Sequence, residues 1–166
     1  MKPQAIILLI ALLALPAQAA RSTYTGELTE YLNDFLKNYP KRLAKAKTYI
    51  PVVVAVAQYE RIDPMLLATV IGLESSWRTN AIGTKGEKGL MQVHGVAAEG
   101  FKLKKPEDQI RAGAKHLGRC FDKCGPDVAK ALACYQTRGF CNGNLWSAKY
   151  RKRTYEDNVA KYRRVK

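Results

Sequence analysis

The 166 residues are enough for one domain, and an apolar share of 47% excludes a disordered chain. Lys and Arg total 28 against 14 Asp and Glu, a net charge of +14. That excess suits a polyanionic partner: nucleic acid, anionic lipid or an acidic polymer of a bacterial envelope.

The start of the chain narrows the choice. Lys2 precedes the apolar run Ile6–Leu15, then Pro16 and Ala17-Gln18-Ala19. A positive start, a short apolar core and an Ala-x-Ala site read as a secretory signal peptide over residues 1–19. The run has half of the roughly 20 apolar residues of a spanning helix, which disfavours a membrane anchor. Residues 20–166 are therefore expected to be exported, periplasmic or secreted, with no stable membrane anchor and no nucleic-acid partner.

Helical spacing of Leu28, Leu32, Phe35 and Leu36 predicts a helix over Thr25–Tyr39, ended by Pro40. Pro51 suits the start of the next helix, which runs to Tyr59 with Val52, Val53, Val56 and Tyr59 as its stripe. Its many β-branched residues leave a buried strand as the alternative. Asp63-Pro64 reads as an N-cap followed by a first-turn proline, opening an apolar helix from Met65 to Leu73 that ends at Glu74. The polar stretch Arg78–Lys88, with Gly83 and Gly86, reads as a loop. Further helices are predicted over Pro106–Phe121, Val128–Tyr135 and Tyr150–Tyr162. No strand pattern convinces, so the fold class is mainly α.

Cys120, Cys124, Cys134 and Cys141 are an even set in an exported chain and read as two disulfides, with three pairings open. A zinc site is the rival, disfavoured by the wide Cys120–Cys124 gap. No metal and no cofactor is expected. The basic tail Lys149–Lys166 reads as a solvated face. Neutralising Arg151, Lys152, Arg153, Arg163 and Arg164 is expected to act like added salt, loosening the hold on an acidic wall and sparing the chemistry.

Glu74 leaves an apolar helix, so its charged form should be disfavoured and its pKa raised. A carboxylic acid kept protonated near neutrality can give a proton to a leaving oxygen. Most single glutamates are mere helix-end charges, and the neighbouring residues decide this one. Glu74-Ser75-Ser76-Trp77, Asn80-Ala81, Gly86 and Gly89-Leu90-Met91-Gln92-Val93 closely resemble the signature of the family 1 lytic transglycosylases. Ile62-Asp63-Pro64-Met65-Leu66-Leu67 upstream, and Ile110–Leu117 and Ala131-Leu132-Ala133-Cys134-Tyr135-Gln136 downstream, extend the likeness over about residues 49–136.

The resemblance implies a single-domain, lysozyme-like fold over 20–166. It also implies cleavage of the β-1,4 bond between N-acetylmuramic acid and N-acetylglucosamine, with a 1,6-anhydro product. Glu74 matches the acid/base. Ser75, Met91, Gln92 and Gln136 match substrate-contacting positions, Tyr135 the motif tyrosine near the carboxyl, and Tyr155 a C-terminal tyrosine completing the site. The chain departs from the family pattern at Gly83-Thr84, where relatives carry a serine. It departs again at Gln109 and Gln136, each in place of Asn. Glu87 is the one nearby carboxylate for a second catalytic position, with a solvated loop charge as its plainer role. Peptidoglycan strands are the expected partner, and a secretion, conjugation or pilus apparatus that must pierce the wall is a further candidate. A hydrolytic lysozyme and a non-catalytic cationic wall-binding protein are the rivals.

Overall fold

Helices, as the sequence spacing predicts, make up most of the computed structural model, which describes residues 3–137 and 139–163 and side chains from residue 19 onward. In chain order they are α1 (Pro3–Phe35), α2 (Pro40–Lys47), α3 (Ile50–Tyr59), α4 (Pro64–Ser75), α5 (Pro106–Cys124), α6 (Val128–Gln136) and α7 (Leu145–Tyr162). Among the described residues there is no strand, only isolated bridges joining Ile82 to Lys88 and Lys88 to Val93. The cut expected after Ala19 falls within α1. Lys2 and Arg164–Lys166 lie outside the described residues. Among the described residues no helix is long and apolar enough to cross a membrane.

α4 is the central element. Nearly every side chain from Pro64 to Ile71 is buried, because α1, α3 and α7 pack round it. Each fully buried Leu, Ile, Val or Met contributes roughly 1.5–3 kcal/mol relative to exposure. Gly72 lets α1 approach closely: a Cβ there would meet the Tyr31 hydroxyl and lie 3.2 Å from Phe35 Cζ. The Asp63 carboxylate caps α4 by accepting from the Met65 N–H at 2.8 Å, as the Asp-Pro pair predicts.

Two expectations need correction. α2 is absent from the sequence reading, which took Pro40 as a stop; here Pro40 occupies the first turn of a new helix, where its missing N–H is harmless. Within α3 the helix wins over the strand, but its buried face is Ile50, Val53, Val54 and Ala57. Tyr59, placed in the stripe from sequence, is 85% exposed.

α7 begins at Leu145, capped by Asn144, and runs back across α4. The residue that follows α7, Arg163, anchors a part-buried polar cluster. Arg163 Nη2 donates to both Asp63 oxygens at 2.8 Å, and its Nε faces Glu27 at 3.5 Å. Tyr155 donates to Asp63 at 3.1 Å. Asp63 thus joins the start of α4, the end of α7 and, through Arg163, α1. Asp63→Ala should lower stability by about 2–4 kcal/mol, summing a lost cap and a stranded guanidinium, as read from urea unfolding. A loss below about 1 kcal/mol would reduce the residue to a simple cap.

Candidate active site

Glu74 is the last but one residue of α4, and the backbone turns sharply after it. Ser76 and Trp77 are both left-handed, at φ 50° and 62°. Non-glycine residues there cost energy, so the surroundings must hold the turn. Arg42 from α2 does so, donating to the Ser76 carbonyl at 3.4 Å. Ser75 does so from inside: its hydroxyl lies 3.1 Å from the Ile71 carbonyl and 2.9 Å from the Leu90 carbonyl.

The returning segment Gly89–Val93 is tied down from α5. The buried Gln109 side chain accepts from the Leu90 N–H at 2.8 Å and donates to Leu103 and Thr79 carbonyls at 2.8 and 3.0 Å. Its amide passes over Gly89, where a Cβ would collide with it and where φ is 71°. Only glycine meets both demands. The longer arm of Gln at this position is therefore fully used. Gln92 turns at φ 48° and donates to the Gly89 carbonyl at 2.8 Å. The Tyr135 hydroxyl on α6 donates to the Met91 carbonyl at 2.6 Å, clamping the segment from the other side.

These elements enclose a cleft of about 830 Å³, large enough for sugar rings, with Glu74 in its wall. Gln92, Tyr135 and Gln136 line it too, as do Glu87, His116 and Arg151. The Glu74 side chain is only 15% exposed, and Arg151 Nη1 donates to its Oε1 at 2.7 Å. Burial pushes the Glu74 carboxyl above the usual carboxylate range, helped by the charge of Glu87 and opposed by Arg151. Glu87 is shifted the other way. Its own N–H and that of Lys85, the latter at 2.8 Å, stabilise the ionised form, with His94 3.8 Å away. Burial raises the Tyr135 hydroxyl well above its ordinary value. Burial lowers His116, which lies 5.0 Å from the Tyr135 ring.

The profile of the transglycosylase SLT domain family matches residues 51–159. The chain belongs to this family. Its matched relatives include "Membrane-bound lytic murein transglycosylase F" of Yersinia pseudotuberculosis serotype I (strain IP32953), 40% identical over 83 residues. That alignment spans 45% of this chain and 17% of the relative. The protein of the same name from Yersinia pestis (strain Pestoides F) is 35% identical over the same shares. The chain thus covers less than a fifth of the length of these relatives. Membership agrees with the mainly α, lysozyme-like class expected from the sequence.

Within this SLT domain the sequence-derived residues divide. Glu74, Gln92, Tyr135 and Gln136 come together in the cleft, and the buried Gln136 Nε2 has no partner among the described residues. Ser75, Met91 and Tyr155 lie outside it. Ser75 sits about 100° round α4 from Glu74 and spends its hydroxyl on two carbonyls. The Met91 side chain is fully buried against Gly113, and only its carbonyl serves the site. Tyr155 points at Asp63.

The SLT domain also corrects the basic tail. Arg151 is a cleft residue and Arg163 a structural anchor, so neither is a solvated charge. Arg151 is a site residue that sequence reasoning missed, as are His116 and Ser147. The only signal for Arg151 was helical spacing from Ser147, which also lines the cleft one turn earlier.

The cysteines pair as Cys120–Cys134, joining α5 to α6, and Cys124–Cys141, joining the end of α5 to the loop before α7. With all four so used, the zinc alternative has no ligands left.

Proposed function

We propose that this chain is a peptidoglycan lytic transglycosylase with Glu74 as its single acid/base. The observation that carries the reading is one desolvated carboxyl, raised above its usual range, in the wall of a glycan-sized cleft. Family membership and the lytic murein transglycosylases among its relatives support it. Protonated Glu74 gives its proton to the glycosidic oxygen as the bond from muramoyl C1 breaks. The carboxylate then takes the proton of the muramoyl 6-hydroxyl as O6 bonds to C1, closing the 1,6-anhydro ring. The proton returns to Glu74, so one carboxyl suffices. The apolar start with its Ala-x-Ala site supports export to the wall. Cleavage of this kind would serve a secretion, conjugation or pilus apparatus that opens the wall locally.

A second reading has one specific observation behind it. Glu87 shares the cleft with Glu74 and is shifted in the opposite direction. Two carboxyls driven apart in this way are the pattern of a hydrolase, with Glu87 serving the water. Mass spectrometry of digested peptidoglycan separates the two. Anhydro-muramoyl ends are the expected product. Reducing ends would replace the proposal with a lysozyme, and no released fragment would leave a wall-binding protein.

A further inference from the structure

Arg151 is in an unusual place for a cation. Its side chain is 18% exposed, it lies in the cleft wall, and it grips the carboxyl proposed as the acid. A cation there favours the ionised carboxylate, which cannot start the reaction. The acid must be released before it can act. Sugar hydroxyls and N-acetyl groups are neutral and compete poorly with a carboxylate for a guanidinium. Another carboxylate competes well.

We propose that Arg151 is the receptor for a carboxylate carried by the muramoyl residue of the substrate, and that this carboxylate draws Arg151 off Glu74. The inference deepens the transglycosylase reading and rests on it. The muramoyl lactyl group supplies the carboxylate when the glycan is bare. When the lactyl carboxyl is in amide linkage, the attached peptide supplies its own. The cleft favours such a guest, since Lys85, Arg119 and Arg151 line it against Glu74 and Glu87. Ser147, one turn before Arg151, adds a hydroxyl on the same wall. With its counter-charge gone, a buried Glu74 takes up a proton. An oligomer of N-acetylglucosamine carries no carboxylate and leaves the ion pair closed. Arg151 thus makes the acid available only to the charged glycan.

The test uses the purified chain, Arg151→Lys and Arg151→Met, each checked by melting temperature. Three substrates are compared: peptide-bearing glycan, amidase-stripped glycan with free lactyl carboxylates, and N-acetylglucosamine oligomers. Arg151→Met should lose roughly 10- to 100-fold in kcat/KM on a carboxylate-bearing glycan. It should gain on the oligomers, on which the closed ion pair holds the unaltered protein back. Arg151→Lys should recover part of the loss. Whether peptide-bearing or stripped glycan suffers more identifies the source of the carboxylate. Equal losses on all three would make Arg151 a mere prop for Glu74 and overturn the proposal, as would no loss on any. Binding to Glu74→Gln provides a readout without turnover. That variant lacks the competing charge and should prefer stripped glycan over oligomer more strongly than the unaltered protein does. An unaltered protein inert on all glycans would overturn the transglycosylase reading. The proposal for Arg151 would still fall or stand on the binding preference.

Discussion

Glu74→Gln should keep the fold and lose wall cleavage by about 10²–10⁴-fold, the usual share of a general acid/base. Gln keeps an oxygen that can accept from Arg151 Nη1, now a hydrogen bond from a cation to a neutral amide in place of the ion pair. Stability should change by about 1 kcal/mol or less. The pH dependence has a definite sign. The first step needs protonated Glu74, and its folded pKa is raised. Activity is therefore full below that raised value and falls as pH climbs through it. Arg151 pulls the pKa down, so Arg151→Met should move the falling limb of kcat/KM, which reports the free enzyme, to higher pH. Stability follows the same direction. The contribution of Glu74 is present below the ordinary carboxylate range and lost as pH rises through the raised value. Glu74→Gln removes that dependence. Near-full cleavage by a well-folded Glu74→Gln protein would end the assignment.

How far the sequence could reach depends on the range of each signal. The Asp63 cap needs only Asp followed by Pro, and the structure has it. Glu74 sits in a contiguous motif, so neighbours a few residues away mark it out. Pro40 shows how a local rule fails, because proline both ends one helix and opens another. The α3 stripe was read in the wrong phase, since an unbroken apolar run from Ile50 to Ala57 leaves the buried face undetermined until a neighbour packs on it. Arg151 and Glu74 are 77 positions apart. No periodicity connects them, and the pair exists only because α7 folds back across α4. Ser75 falls outside the cleft for a geometric reason. Adjacent residues of a helix face different ways, so a motif can hold one residue for chemistry and the next for scaffolding.

The scaffold round Tyr135 leads to the second large effect. Mutating Cys120 and Cys134 together to Ala should destabilise the domain by about 2–5 kcal/mol. Both cysteines are buried, and the bond closes a separation of 14 residues between α5 and α6. Chain entropy alone gives about 3 kcal/mol for a loop of this size. Each kcal/mol lowers the melting temperature by roughly 2–4 °C in a domain this long. Losing Cys124–Cys141, at a separation of 17, should cost less in practice. That bond holds a part-exposed loop, whereas Cys120–Cys134 also fills core. The functional consequence follows from position. Cys134 precedes Tyr135, whose hydroxyl clamps Met91 and lies in the wall facing Glu74. A loosened α6 loosens that clamp, and misplacement of about 1 Å can cost 10²-fold in rate. Cleavage by the Cys120/Cys134 double variant should therefore fall well before the protein melts, while the Cys124/Cys141 variant keeps its activity at the same temperature. Alkylation of the denatured, unreduced protein should label no cysteine. Equal melting temperatures for the two variants would show that the buried bond adds nothing beyond its loop. Activity lost in both at one temperature would move the dependence from α6 to the whole cysteine region.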